Sequence, residues 1–150
     1  KKVREISFEL TPVLLNDMGL EAALKDMLER KLDANQISFN LSFNIKVLHL
    51  DKSLEVIIYR ILQELVNNTI KHASASHVNV LVFQKGDDLY ISQTDNGKGL
   101  DKSVLGDPKK GFGIKSIINR LHILNGVFEV FSNPESGTKV LMNIPLNGAR

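Results

Sequence analysis

Cysteine is absent from this 150-residue chain. That excludes disulfides, thiolate metal sites and a cysteine nucleophile. The absence fits the cytosol without deciding the compartment. No apolar run approaches the ~20 residues needed to span a bilayer, and no signal peptide is recognisable. An excess of one charge is missing too. Nineteen Lys and Arg face 17 Asp and Glu, for a net charge of +2. The basic residues are scattered, with no run longer than Lys1-Lys2 or Lys109-Lys110. Nothing therefore suggests a polyanion-binding surface or a nucleic-acid partner. Repeats and low-complexity segments are also lacking. What remains is ordinary for one globular domain with a single core: 43% hydrophobic and 24% charged residues.

The opening KKVREISFEL reads as the tail of a helix and lacks an initiator Met. The expectation is an excised piece of something longer. Thr11-Pro12 stops that helix, because proline disfavours helix in the residue before it. Residues 13–18 then read as a short connection. From Gly19 to Ala34, Leu20, Leu24, Met27, Leu28 and Leu32 share one side, which predicts an amphipathic helix. Residues 37–45, ISFNLSFNI, alternate apolar and polar as a half-buried strand does. Asp51 or Ser53 can cap a long central helix. Residues 78–83 and 89–94, joined by Gly86-Asp87-Asp88, read as a hairpin. A glycine-rich and polar stretch follows. Ile114, Ile117, Ile118, Leu121 and Leu124 then mark another helix, which Asn125-Gly126 ends. A second hairpin closes the chain, with strands at 127–131 and 138–145. The antiparallel hairpins and few helices predict an α+β fold, a mixed, mostly antiparallel sheet with helices on one face.

Polar residues concentrate on the central helix. Leu54, Ile58, Ile61 and Leu65 make its apolar face. Glu64, Asn68 and His72 are spaced four apart and stack along one stripe. At ~100° per residue, Asn68 and His72 fall within roughly half a turn of the apolar face. Burying an unpaired amide or imidazole costs roughly 1–3 kcal/mol. A helix that does so beside a carboxylate points to a cavity holding something polar. The plain alternative is that neighbouring backbone satisfies these groups.

Three glycine clusters accompany the helix: DNGKG at 95–99, GFG at 111–113 and GT at 137–138. Each alone reads as a turn. Gly111 and Gly113 sit where a helix begins, and free N–H groups with the positive dipole end make a phosphate cradle there. Asp95 ends an apolar strand and can accept a hydrogen bond deep in a pocket, for example from an exocyclic amine. A simple Asx-turn at the strand exit is the other reading.

Taken in order, N-x-x-K-H (Asn68, Lys71, His72), D-x-G-x-G (Asp95, Gly97, Gly99), G-x-G (Gly111, Gly113) and G-T (Gly137, Thr138) resemble the four nucleotide-binding boxes of the GHKL superfamily. Its members are histidine kinases, gyrase-type topoisomerases, mismatch-repair ATPases and heat-shock chaperone ATPases, which share the Bergerat α/β sandwich. The finer resemblance is to sensor histidine kinases whose partner regulators carry helix-turn-helix output domains. YRILQELVNNTIKHA carries it, as do Leu10, Pro12, Leu15, Asp17, Gly19 and Leu20 upstream and the closing GVFEVFSNPESGTKVLMNIPL.

The resemblance implies a two-layer ATP-binding catalytic domain at 19–150. Residues 1–18 would be the end of a dimerisation-hairpin helix and a linker. It implies ATP and Mg²⁺ as cofactors, with Asn68 as the metal ligand. Asp95 would bind the adenine amino group, with Thr138 supporting through water. Lys71 and His72 would lie near phosphates or ribose, and Gly97 and Gly99 would shape the pocket floor. Residues 100–110 would be a short lid, with Gly111 and Gly113 touching phosphate at its hinge. Glu64 would activate water, or orient Mg²⁺ or the acceptor imidazole; a solvated helix carboxylate is the third reading. Partners implied are the dimerisation/phosphotransfer domain of the same homodimeric parent and a response regulator. The domain would be cytoplasmic, in a parent of a kind often anchored in the cell membrane. The first histidine here is His49, so the acceptor helix is lacking and the fragment would not autophosphorylate alone. Three other readings stay open: a GHKL-type ATPase with Glu64 as base, a serine kinase of a regulatory partner, and a non-enzymatic binding module.

Overall fold

In the computed structural model the described residues are 13–46, 50–99 and 112–146. Their order is α1 (Val13–Met18), α2 (Leu20–Leu28), β1 (Ser38–Asn44), α3 (Lys52–Asn68), β2 (His77–Lys85), β3 (Asp88–Asp95), α4 (Phe112–Ile123), β4 (Val127–Asn133) and β5 (Gly137–Pro145). The strands form one five-stranded sheet in the order β1-β2-β3-β5-β4. Only β1 and β2 run parallel; the other neighbours are antiparallel. The expected mixed, mostly antiparallel sheet is what forms.

Alternation along the strands decides which face is covered. Val78, Val80 and Val82 of β2 are buried, as are Leu89 and Ile91 of β3 and Val140, Met142 and Ile144 of β5. These side chains point one way, because successive residues of a strand face opposite sides. They pack against Ile58, Ile61, Leu62 and Leu65 of α3, Leu24, Met27 and Leu28 of α2, and Ile117 and Leu121 of α4, all in one apolar cluster. Each fully buried aliphatic side chain contributes roughly 1.5–3 kcal/mol by area. The opposite face keeps Leu81, Phe83, Val127 and Phe131 exposed, with Phe83 and Tyr90 stacked at a centroid separation of 5.2 Å.

One expectation fails at the start of the described chain. Residues 13–18 form a helix, not a connection. Leu15 is its fully buried anchor, and its carbonyl accepts the Gly19 N–H at 3.2 Å and the Lys52 ammonium at 3.4 Å. So short a piece has no helical period to read; the burial of one leucine in the apolar cluster, with the helix packed on α2, fixes it. Gly19, at φ 90°, separates it from α2.

Helix α3 starts where the sequence places its cap. Asp51 has non-helical φ/ψ and its Oδ1 accepts the Ser53 N–H at 3.2 Å. Of the two candidates, Asp51 is the cap. Changing Asp51→Ala should cost about 1 kcal/mol. At this chain length that is about 2–4 °C in Tm, read by thermal denaturation. A Tm unchanged within error would show the cap to be idle.

The far end of α3 departs from α-geometry. Residues Thr69–Ala73 continue as one π-helical turn that Ser74 closes at φ 53°. The extra residue in that turn shifts the stripe read at four-residue spacing. Lys71 and His72 are exposed, Asn68 is half-buried, and Thr69 is the buried polar residue of this end. The expectation that His72 sits beside the buried face is therefore corrected. Helix α4 ends as anticipated, with Asn125 left-handed at φ 58° and the Gly126 N–H returning to the Leu121 carbonyl at 2.8 Å.

Candidate functional site

The polar ends of three elements meet at one end of the core. Thr69 and Asn68 come from the last turns of α3, Gln93 and Asp95 from the end of β3, and Thr138 from the start of β5. They line a narrow cleft whose apolar walls are Leu65, Ala73, Ile114 and Val140. The sheet register explains the grouping. Gln93 lies opposite Val140, so Asp95 falls beside Thr138 one step on, and both strands aim these residues at the helix face. The cleft has a volume of about 20 Å³, which is room for about one water molecule.

Asp95 is 5% exposed. Its Oδ1 accepts the Gly97 N–H at 2.8 Å and the Thr138 N–H at 3.4 Å. The first of these is the Asx-turn held open as the plain alternative. The turn uses one oxygen only. Oδ2 takes no hydrogen bond from the described residues, so the buried carboxylate keeps an acceptor for whatever enters the cleft.

Two tight backbone approaches hold this carboxylate in place. Gly97 lies on the last turn of the helix: a Cβ there would run into the Ala73 carbonyl. That same carbonyl accepts the Lys98 N–H at 2.8 Å. Gly137, at φ 94°, lies against the Asp95 carbonyl in the same manner. Asn96 pins the intervening loop, its Oδ1 accepting the Ser76 and His77 N–H groups at 2.9 and 3.0 Å. Gly99, at φ 81°, continues the loop past Ser132 and Asn133.

The anticipated residues divide. Asn68, Asp95 and Thr138 share the cleft, and Gly97 and Gly99 form its rim loop. Glu64 is half-buried one turn before Asn68 and is not part of the cleft lining. Lys71 and His72 are exposed at the helix end. Gly113 falls in the first turn of α4. Gly111, the expected lid at 100–110, His49 and the opening helix tail lie outside the described residues.

Two contributors to the cleft escaped the sequence reading. Thr69 and Gln93 are buried at 5% and 4% exposure. Gln93 could have been found, because Leu89, Ile91, Gln93 and Asp95 occupy successive inward positions of one strand. A glutamine continuing an apolar face is a signal. Lys31 stands outside the cleft lining, and its ammonium donates to Asn67 Oδ1 at 3.0 Å. Burial lowers its pKa from the ordinary lysine value, Arg30 and Lys71 push the same way, and Glu64 opposes them.

Among the described residues no group of three or more His, Asp or Glu is placed to hold a metal. A cation here would have to be held by few protein oxygens and by its own waters and phosphates, which suits Mg²⁺. The Asn68 side chain, without a hydrogen bond from the described residues, is the carbonyl placed to serve.

Comparison with known proteins bears on the family and the fold. A family described as histidine kinase-, DNA gyrase B-, and HSP90-like ATPase matches residues 53–148. The chain is 30% identical over 146 residues to the signal transduction histidine-protein kinase/phosphatase DegS of Brevibacillus brevis. That match covers 97% of this chain and 37% of DegS, so the chain spans little more than a third of that relative. Among solved structures, the histidine kinase domain of the blue-light activated kinase of Erythrobacter litoralis EL346 superposes with a TM-score of 0.69 at 19% identity, over 85% of this chain and 61% of that one. Acinetobacter baumannii histidine kinase AdeS gives 0.69 at 16% identity, over 97% and 77%. At these identities the structural likeness concerns the fold.

Proposed function

The chain belongs to the histidine kinase-, DNA gyrase B-, and HSP90-like ATPase family, and we propose that it is the ATP-binding catalytic domain of a two-component sensor histidine kinase. The observation that carries the reading is the cleft where Asn68, Asp95 and Thr138 converge. Asp95, fixed through Oδ1 and open at Oδ2, accepts the adenine amine. Thr138 supports the same corner through its hydroxyl, which lies 3.3 Å from Ser132 Oγ. Asn68 offers a side-chain oxygen to Mg²⁺. Lys71 and His72, exposed beyond the cleft, meet phosphate or ribose. Mg²⁺, when bound, neutralises charge on the phosphates. The chain's own work is positioning, which is most of what phosphoryl transfer requires. The γ-phosphate is thereby presented to a histidine on a dimerisation domain of the parent, for onward transfer to a response regulator. A cytoplasmic location for this domain belongs to the same proposal.

The hydrolytic alternative needs Glu64 against an attacking water, and Glu64 stands outside the cleft lining. The test joins a histidine-bearing dimerisation hairpin to this chain and follows γ-phosphate transfer from ATP. Transfer to the histidine is expected. In Asn68→Leu, Mg²⁺ should no longer tighten ATP binding in calorimetry, and transfer should fall by at least 100-fold. Rapid ATP hydrolysis by the chain alone, abolished in Glu64→Gln, would overturn the kinase reading in favour of an ATPase.

A further inference from the structure

Gln93 has no assigned part in the cleft, yet among the described residues its side chain holds the one inaccessible polar atom without a hydrogen bond. Its Oε1 is inaccessible and finds no partner among the described residues. A buried polar atom left unmade costs free energy, so a native chain keeps one where something else completes it. The amide's direction follows from its neighbour. Thr69 spends its hydroxyl hydrogen on the Leu65 carbonyl at 3.1 Å, so its Oγ1 can only accept from Gln93. The Gln93 Nε2 supplies that hydrogen at 3.0 Å. With the amide so placed, the relay from Gln93 through Thr69 to Leu65 leaves Oε1 as the unsatisfied end, in a residue that lines the cleft.

We propose that Gln93 determines base specificity: its Oε1 is a second acceptor, on the same strand face as Asp95 and in the same cleft lining, that takes the other hydrogen of an exocyclic amine. The proposal rests on the reading of this cleft as the ATP site. Gln93 and Asp95 are two apart on one strand face, so their Cα atoms stand about 6.6 Å apart. Oε1 is inaccessible while the cleft is empty, so the Gln93 side chain must turn toward the cleft for one amine to address both oxygens. A base carrying a carbonyl at that position would bring a third acceptor to two acceptors. A base with one amine hydrogen replaced by methyl would satisfy Asp95 and leave Gln93 unpaired.

The experiment is calorimetry of the chain with three magnesium nucleotides: ATP, N6-methyl-ATP and the triphosphate of purine riboside, which has no amine. The parent chain should bind them in that order of affinity. In Gln93→Met, similar in shape but without the acceptor, ATP should weaken about tenfold, to near the N6-methyl-ATP value. The amine-free nucleotide should bind as before. Without nucleotide the variant should unfold no earlier than the parent, because the orphaned acceptor is gone. Gln93→Leu repeats the measurement if methionine packs badly. Equal weakening of all three nucleotides, or no change in any, overturns the proposal while leaving the ATP reading intact. A parent chain that binds none of the three overturns both.

Discussion

Asp95→Asn should leave the chain folded and raise the Kd for Mg·ATP by at least 100-fold. The reasoning turns on which oxygen the carboxylate has already committed. Oδ1 serves the buried N–H groups of Gly97 and Thr138. Asparagine has a single oxygen, and leaving those two donors unpaired would cost about 1–3 kcal/mol each. The amide oxygen therefore takes over the Oδ1 position, and the NH₂ group replaces Oδ2 towards the cleft. The fold survives because its own hydrogen bonds survive. The ligand meets the reverse polarity: an amine now faces a donor. A charge-assisted hydrogen bond worth about 1.5–3 kcal/mol is lost, and two facing donors are left unpaired. Together these come to about 3–5 kcal/mol, and every 1.4 kcal/mol is tenfold. Calorimetry with Mg·ATP measures the loss, and a Tm within about 3 °C of the parent separates it from unfolding. The same reversal gives a second reading. Inosine triphosphate carries a carbonyl where ATP carries its amine, so the preference for ATP over it should shrink in the variant. An affinity for ATP within threefold of the parent, in a folded variant, would show that Oδ2 does not read the base.

How far the sequence reveals such a site depends on the interaction involved. Helix α3, the two hairpins and helix α4 were legible because each carries its own period of apolar residues, 3.6 or 2. Asp51 was legible because capping is local chemistry. Helix α1 was not, since six residues hold no period and Leu15 is fixed by what packs over it. The convergence of Asn68, Asp95 and Thr138 was visible only as motifs in order along the chain. Their meeting needs β5 inserted between β3 and β4, which hydrophobic alternation does not specify. His72 was misplaced for a different reason. The four-residue stripe assumes α-geometry to the end, and the π-turn at Thr69–Ala73 carries it away from the core. Gln93 and Thr69 lay in plain view on inward positions, but their pairing joins residues 24 apart in sequence. That pairing exists only once β3 lies under α3.

Gly137→Ala should damage stability and binding together, and for a reason that the turn glycine Gly86 does not share. Gly137 opens β5 at φ 94°, where an L-residue pays roughly 1–3 kcal/mol of backbone strain. Its added Cβ would also run into the Asp95 carbonyl and stand 3.0 Å from the Gly97 nitrogen. Both neighbours are backbone, so neither can swing aside as a flexible side chain would. Relief requires β5 to move off the end of β3, and that displaces the Thr138 N–H that Asp95 accepts. Strain and displacement together should cost about 3–5 kcal/mol, among the larger values for single substitutions. For a chain of this length that is roughly a 6–20 °C drop in Tm. ATP affinity should fall at least tenfold even at temperatures where the variant stays folded, because the carboxylate is no longer held. Gly86→Ala supplies the contrast. Gly86 also has positive φ, 62°, but nothing lies within 4 Å of an added Cβ. That variant should lose about 1 kcal/mol and bind ATP as the parent does. If the two variants unfold at the same temperature, the close approach of β5 to Asp95 is not what requires glycine at 137. If Gly137→Ala is destabilised as expected yet binds ATP normally, the Asp95 carboxylate is held by Gly97 alone.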